Sequence, residues 1–119
     1  MEKILTFNNN KSKFVVDIDG TICTPCPGNY SSAEPFKDRI LKLNSLFDDG
    51  NEVIYYTARG MTRFNGNASK CYTEYYEFTR QQLDKWGCKY NQLIMGKPAA
   101  DCYIDDLAMN DQTFFESSK

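Results

Sequence analysis

Two aspartates two residues apart, Asp17 and Asp19, stand directly before Gly20-Thr21. Further along come Thr57, Lys97 and a second acidic pair, Asp105-Asp106. Four carboxylates gathered in one crevice repel one another unless a divalent cation sits among them. Magnesium suits such a set, because it takes a few hard oxygens from protein and the rest from water and phosphate. A lysine and a threonine beside it add positive charge and a hydrogen-bond donor. That mixture fits a phosphate dianion bridged to a metal better than a metal alone. One carboxylate can then attack phosphorus while the other handles protons.

This chemistry needs the groups to converge, and the strand pattern provides for that. Phe14 to Ile18 is a short apolar run suited to a strand buried on both faces, ending at Asp19-Gly20-Thr21. Val53 to Tyr56, Gln92 to Met95 and Cys102 to Ile104 read as three more strands, and Thr113 to Phe115 as a short fifth at an edge. Between them lie two helices. The first is expected to be capped by Ser31 or Ser32, with Pro35 in its first turn and Phe36, Ile40, Leu43 and Phe47 on one face. Gly50 suits its C′ position. The second spans roughly 70–86, with Tyr72, Tyr76, Thr79, Leu83 and Trp86 along one side. Strands alternating with helices predict an α/β layer fold with a mostly parallel sheet of about five strands. Ligands in such sheets bind beyond the carboxyl ends of the strands. Each polar cluster falls at such an end, so one convergent site is expected.

Bulk properties set limits on the function. The 119 residues fit a single domain. A net charge of -2 argues against a duplex nucleic-acid binder. The chain has no histidine, which removes Ser-His-Asp and Cys-His catalysis. Beyond the polar run 8–13 there is no low-complexity tract, and no apolar stretch reaches the length of a membrane span. The opening residues lack a signal-peptide h-region. Five cysteines cannot all pair within one chain, so the expectation is a reducing, cytoplasmic setting with free thiols. Cys23 and Cys26 form a C-x-x-C in the flap 22–32, where incidental thiols outweigh a labile disulfide or weak metal site.

The set DIDGT (17–21), Thr57 in YYTARG, Lys97 in GKP and the acidic pair in YIDD, in that order, resembles the four motifs of the haloacid dehalogenase-like superfamily. TARG, QLDKWG and GKPAADCYIDD are also similar to the small capless phosphatases of capsule and surface-glycan biosynthesis. The resemblance implies a Rossmann-like three-layer sandwich spanning 1–119 with no cap domain, since the flap 22–32 and the loop 60–69 are too short to form one. It implies Asp17 as a nucleophile forming a phosphoaspartyl intermediate. Asp19 would act as acid and then base, and Thr57 and Lys97 would hold the phosphoryl group. Asp17, Asp19, Asp105 and Asp106 would bind magnesium. Gly20, Thr21, Ala58 and Arg59 are the implied substrate-binding positions. The Asp at position 19 points to a phosphatase acting on a small phosphorylated metabolite, with a sugar phosphate as the expected substrate. The open site suits association into a homo-oligomer. Two other readings carry different expectations. A receiver-type phosphoacceptor domain shares the residue types, but its acidic pair comes first in the chain. An idle relative would bind a sugar phosphate or a partner without turnover.

Overall fold

The computed structural model describes residues 11–117. Residues 1–10, which include half of the polar run and the segment expected to lack a signal-peptide h-region, lie outside that range. The described elements are β1 (Lys13–Val16), α1 (Lys37–Asp48), β2 (Glu52–Thr57), α2 (Ala68–Lys85), β3 (Gln92–Met95) and α3 (Asp111–Ser117). The strands form one parallel sheet in the order β1-β2-β3, with Val15 opposite Ile54 and Tyr55 opposite Leu93. Parallel neighbours cannot be joined by a tight hairpin, so α1 and α2 serve as the crossovers. β2 is central and buried on both faces through Val53, Ile54 and Tyr55, as its continuous apolar run requires. The main core joins Val53, Tyr55 and Leu93 of the sheet to Ile40 and Leu43 of α1 and Leu83 of α2.

The α/β class and the parallel sheet are as expected, but the count of about five strands is not. The described residues form three strands. Cys102 to Ile104 lie in exposed, irregular chain. Tyr103 is turned back there: its hydroxyl donates to the Pro98 carbonyl and its ring faces the Lys97 ammonium. Thr113 to Phe115 belong to α3, which Asn110 starts by accepting from the Gln112 N–H at 2.9 Å. Arg39 of α1 holds α3 through Asp111 at 2.6 Å, and the Phe114 ring meets Phe14 at 5.9 Å.

Helix boundaries shifted for local reasons. α1 begins one turn later than a serine cap would place it, because Ser31 and Ser32 spend their hydroxyls on Asn29 in a 3-10 turn. Pro35 precedes the helix and bridges to Cys23, closing the base of the flap. Gly50 does take the C′ position, at φ 99°. α2 is capped by Asn67, whose side chain accepts from the Lys70 N–H at 3.1 Å. Among the described residues no helix is long and apolar enough to cross a membrane.

Asn51 fastens the sheet to α1. Its buried side chain accepts from the Ser12 N–H at 2.9 Å and donates to the Leu46 carbonyl at 3.0 Å. Replacing Asn51→Ala removes both side-chain bonds, while the Leu46 carbonyl keeps the Asn51 N–H at 3.1 Å. A loss of about 1–3 kcal/mol is expected in urea unfolding. An unchanged midpoint would show that Asn51 fastens nothing.

Candidate active site

The carboxyl ends of the three strands open onto one cleft of about 330 Å³. Asp17 and Asp19 reach it from the turn after β1, Thr57, Ala58 and Arg59 from the end of β2, and Lys97 from the loop after β3. Gly20 sits at φ 86° and lets the chain turn immediately after Asp19. The flap adds Pro25, Cys26, Pro27 and Tyr30, and the chain after Lys97 adds Tyr103. Tyr30 and Tyr103 carry no signal in the sequence: one sits in a proline-rich loop and the other in an apparent strand.

Asp17 and Lys97 form an ion pair, with Lys97 Nζ 3.3 Å from Asp17 Oδ1. Thr21 Oγ1 donates weakly to Asp17 Oδ2 at 3.4 Å. Burial raises the Asp17 carboxyl above the ordinary carboxylate range, and the charge and hydrogen bond of Lys97 only partly offset this. Thr57 is buried, and its hydroxyl accepts the Arg59 N–H at 3.1 Å. That contact aligns the O–H, whose proton remains for an oxygen in the cleft. The Thr57 carbonyl accepts from the Lys97 N–H at 3.1 Å, which ties the loops after β2 and β3 together.

Arg59 departs from its expected role as an open substrate-binding group. It is 1% exposed. Its Nε and Nη2 each donate to one oxygen of Asp19 at 2.9 Å, and Nη1 donates to Thr79 Oγ1 at 3.3 Å. The Tyr30 ring lies 4.7 Å from its guanidinium carbon. Thr79 takes part in the site from α2, where its spacing alone reads as packing.

Cys23 and Cys26 are free and point at the same oxygen, Asp19 Oδ1, at 3.5 and 3.9 Å. Burial and the nearby Asp19 charge push the Cys23 thiol up to about 12, and the same causes raise Cys26. Both are therefore protonated donors, unlike the acidic thiols of redox motifs.

The acidic pair is where the sequence expectation and the structure part. Asp105 and Asp106 are exposed and do not line the cleft. Asp105 instead accepts the Leu107 N–H at 2.9 Å, and that bond holds its carboxyl below the ordinary range. Among the described residues no group of three or more His, Cys, Asp or Glu side chains converges to hold a metal. Both Asp19 oxygens are also taken by Arg59. The side chains as placed thus do not form the expected magnesium site.

No protein-family model and no curated protein matches the chain. A crystal structure of a structural-genomics target protein from Vibrio cholerae does match, with a TM-score of 0.81 and 31% identity over 87% of each chain. At that identity over most of both chains, the two proteins belong to one family. The name of that protein states no activity.

Asp17 offers a test of the site that does not depend on substrate. Its folded-state value is raised, so the folded chain holds a proton there more readily than the unfolded chain. Stability therefore falls as pH rises through that folded value, and the cost is complete above it. Asp17→Asn removes the cost. The variant is expected to unfold at higher urea than the parent at neutral pH, with the difference shrinking as pH falls through the Asp17 value. A difference that stays constant over that range would show that burial does not strain Asp17.

Proposed function

We propose that this chain is a phosphomonoester hydrolase of the haloacid dehalogenase-like superfamily, with Asp17 as its covalent nucleophile. The observation that carries the reading is the meeting of Asp17, Thr57 and Lys97, from three strand ends, around one cleft. The reading brings with it the Rossmann-like three-layer architecture without a cap. It also brings a magnesium requirement, which rests on the resemblance alone, as do the roles of Asp105 and Asp106.

In this reading Asp17 attacks phosphorus as its ester bond to the alcohol breaks, giving an aspartyl phosphate and the free alcohol. Lys97, 3.3 Å from Asp17, supplies positive charge where the phosphoryl oxygens gather. Thr57 donates its hydroxyl to one of those oxygens. Asp19 gives a proton to the departing alcohol and later takes one from the water that hydrolyses the intermediate. Ala58 lines the cleft beside these groups, while Gly20 turns the chain and Thr21 reaches Asp17 from behind the lining. Pro25, Pro27, Tyr30 and Tyr103 wall the cleft with flat apolar surface, which suits the ring of a small phosphorylated metabolite such as a sugar phosphate of glycan or capsule synthesis. An open cleft of this kind also leaves room for a second copy of the chain to cover it.

A phosphate-release screen over sugar, nucleotide and amino-alcohol monoesters, with magnesium present, tests the reading. Turnover is expected for at least one ester, with loss on chelation and with Asp17→Asn as the silent control. Lys97→Ala is expected to lower kcat by roughly 10²–10³-fold, as removal of one transition-state charge partner does. No phosphate release from any ester, or equal release by Asp17→Asn, would overturn it.

A further inference from the structure

Arg59 is a fully buried cation whose Nε, Nη1 and Nη2 each donate to a side chain. The partners come from four parts of the chain. Asp19 lies after β1, Thr79 on α2, Tyr30 in the flap, and Thr57, which accepts the Arg59 N–H, at the end of β2. A planar guanidinium fork fixes both the direction and the plane of a carboxylate, whereas an ammonium supplies only a point charge. The thiols of Cys23 and Cys26 bear on the same carboxylate from the flap. At 1% exposure the guanidinium has no surface left for a substrate anion.

We propose that Arg59 is a positioning residue: it sets the plane and direction of the Asp19 carboxylate at the cleft and does not touch the phosphate. This rests on the phosphohydrolase reading, in which Asp19 must meet the leaving oxygen. Misplacing a reacting group by about 1 Å can cost on the order of 10²-fold in rate. Arg59 therefore acts on the chemical step, and only through Asp19.

A double-mutant cycle in kcat and KM tests this, on an ester that the parent chain turns over. Arg59→Lys keeps the charge and loses the fork. It is expected to lower kcat by about 10²-fold with KM changed less than about twofold. In the Asp19→Ala background the same change is expected to have no further effect. A loss that multiplies in that background, or one that falls on KM, overturns the assignment. A second measurement needs no turnover: exchange of the Arg59 Nε–H followed by NMR. Slow exchange is expected in the parent chain and faster exchange in Asp19→Ala, and equal rates would refute the contact. A parent chain that hydrolyses no ester removes the reaction and with it the role of Arg59 in it. Slow exchange would then still establish the Arg59–Asp19 pair, so the two failures are distinguishable.

Discussion

The site depends on the pairing of a buried guanidinium with one carboxylate. Taking an ion out of water costs several kcal/mol, and the loss is recovered only where geometry is good and the remaining donors are satisfied. Arg59 meets that condition with two bonds to Asp19, one to Thr79 and an aromatic face from Tyr30. The neighbouring contacts follow from it. The Gly60 N–H, next in the chain, donates to the Tyr30 hydroxyl at 3.0 Å. Gly60 is at φ 84°, and a Cβ there would lie 2.8 Å from the Tyr75 ring, which itself packs edge-on against Tyr30. The flap is thereby held over the cleft. Its base is closed by the Cys23–Pro35 bridge and its far side by the Tyr30 carbonyl, which accepts from Gln82 Nε2 of α2 at 2.8 Å.

The parts of the fold that could be read from sequence are those where pattern and burial agree. Val53 to Tyr56 is apolar without alternation, and it became the central strand. Gln92 to Met95 was bounded by polar residues and a glycine, and those bounds held. Cys102 to Ile104 looked similar but is short and contains only one β-branched residue. Its tyrosine found local partners in Pro98 and Lys97. Thr113 to Phe115 shows the weakness of three-residue runs from the other side. Threonine and phenylalanine favour strands, yet an Asn110 cap and anchors from Arg39 and Lys42 made a helix. Propensity is a weak prior where tertiary contacts are strong.

The site was legible to the extent that a parallel sheet dictates it. Residues just after parallel strands must lie at one edge, so Asp17, Thr57 and Lys97 could be brought together from sequence alone. What could not be read was direction. Arg59 follows Thr57 closely and could have faced outward as easily as inward, because the distant Asp19, Thr79 and Tyr30 decide it. The acidic pair was placed by the same strand-end rule, and it failed for the reason its strand failed. Without a strand ending at Ile104, nothing carries Asp105 and Asp106 to the cleft.

In the proposed reading, the charge pairs of the cleft bear on how a cation would enter it. Asp17 is paired with Lys97 and Asp19 with Arg59. Neither cation is spare, since Arg59 is committed on every side and Lys97 already serves a carboxylate whose burial makes it costly. In the proposed reading a phosphate dianion entering the cleft brings two further negative charges, and a partly buried charge without a counterpart is expensive. A divalent cation would remove that excess. Magnesium is commonly held by one or two carboxylates together with the phosphate itself, rather than by an all-protein cage. In the proposed reading, such a cation would bind with the substrate rather than before it.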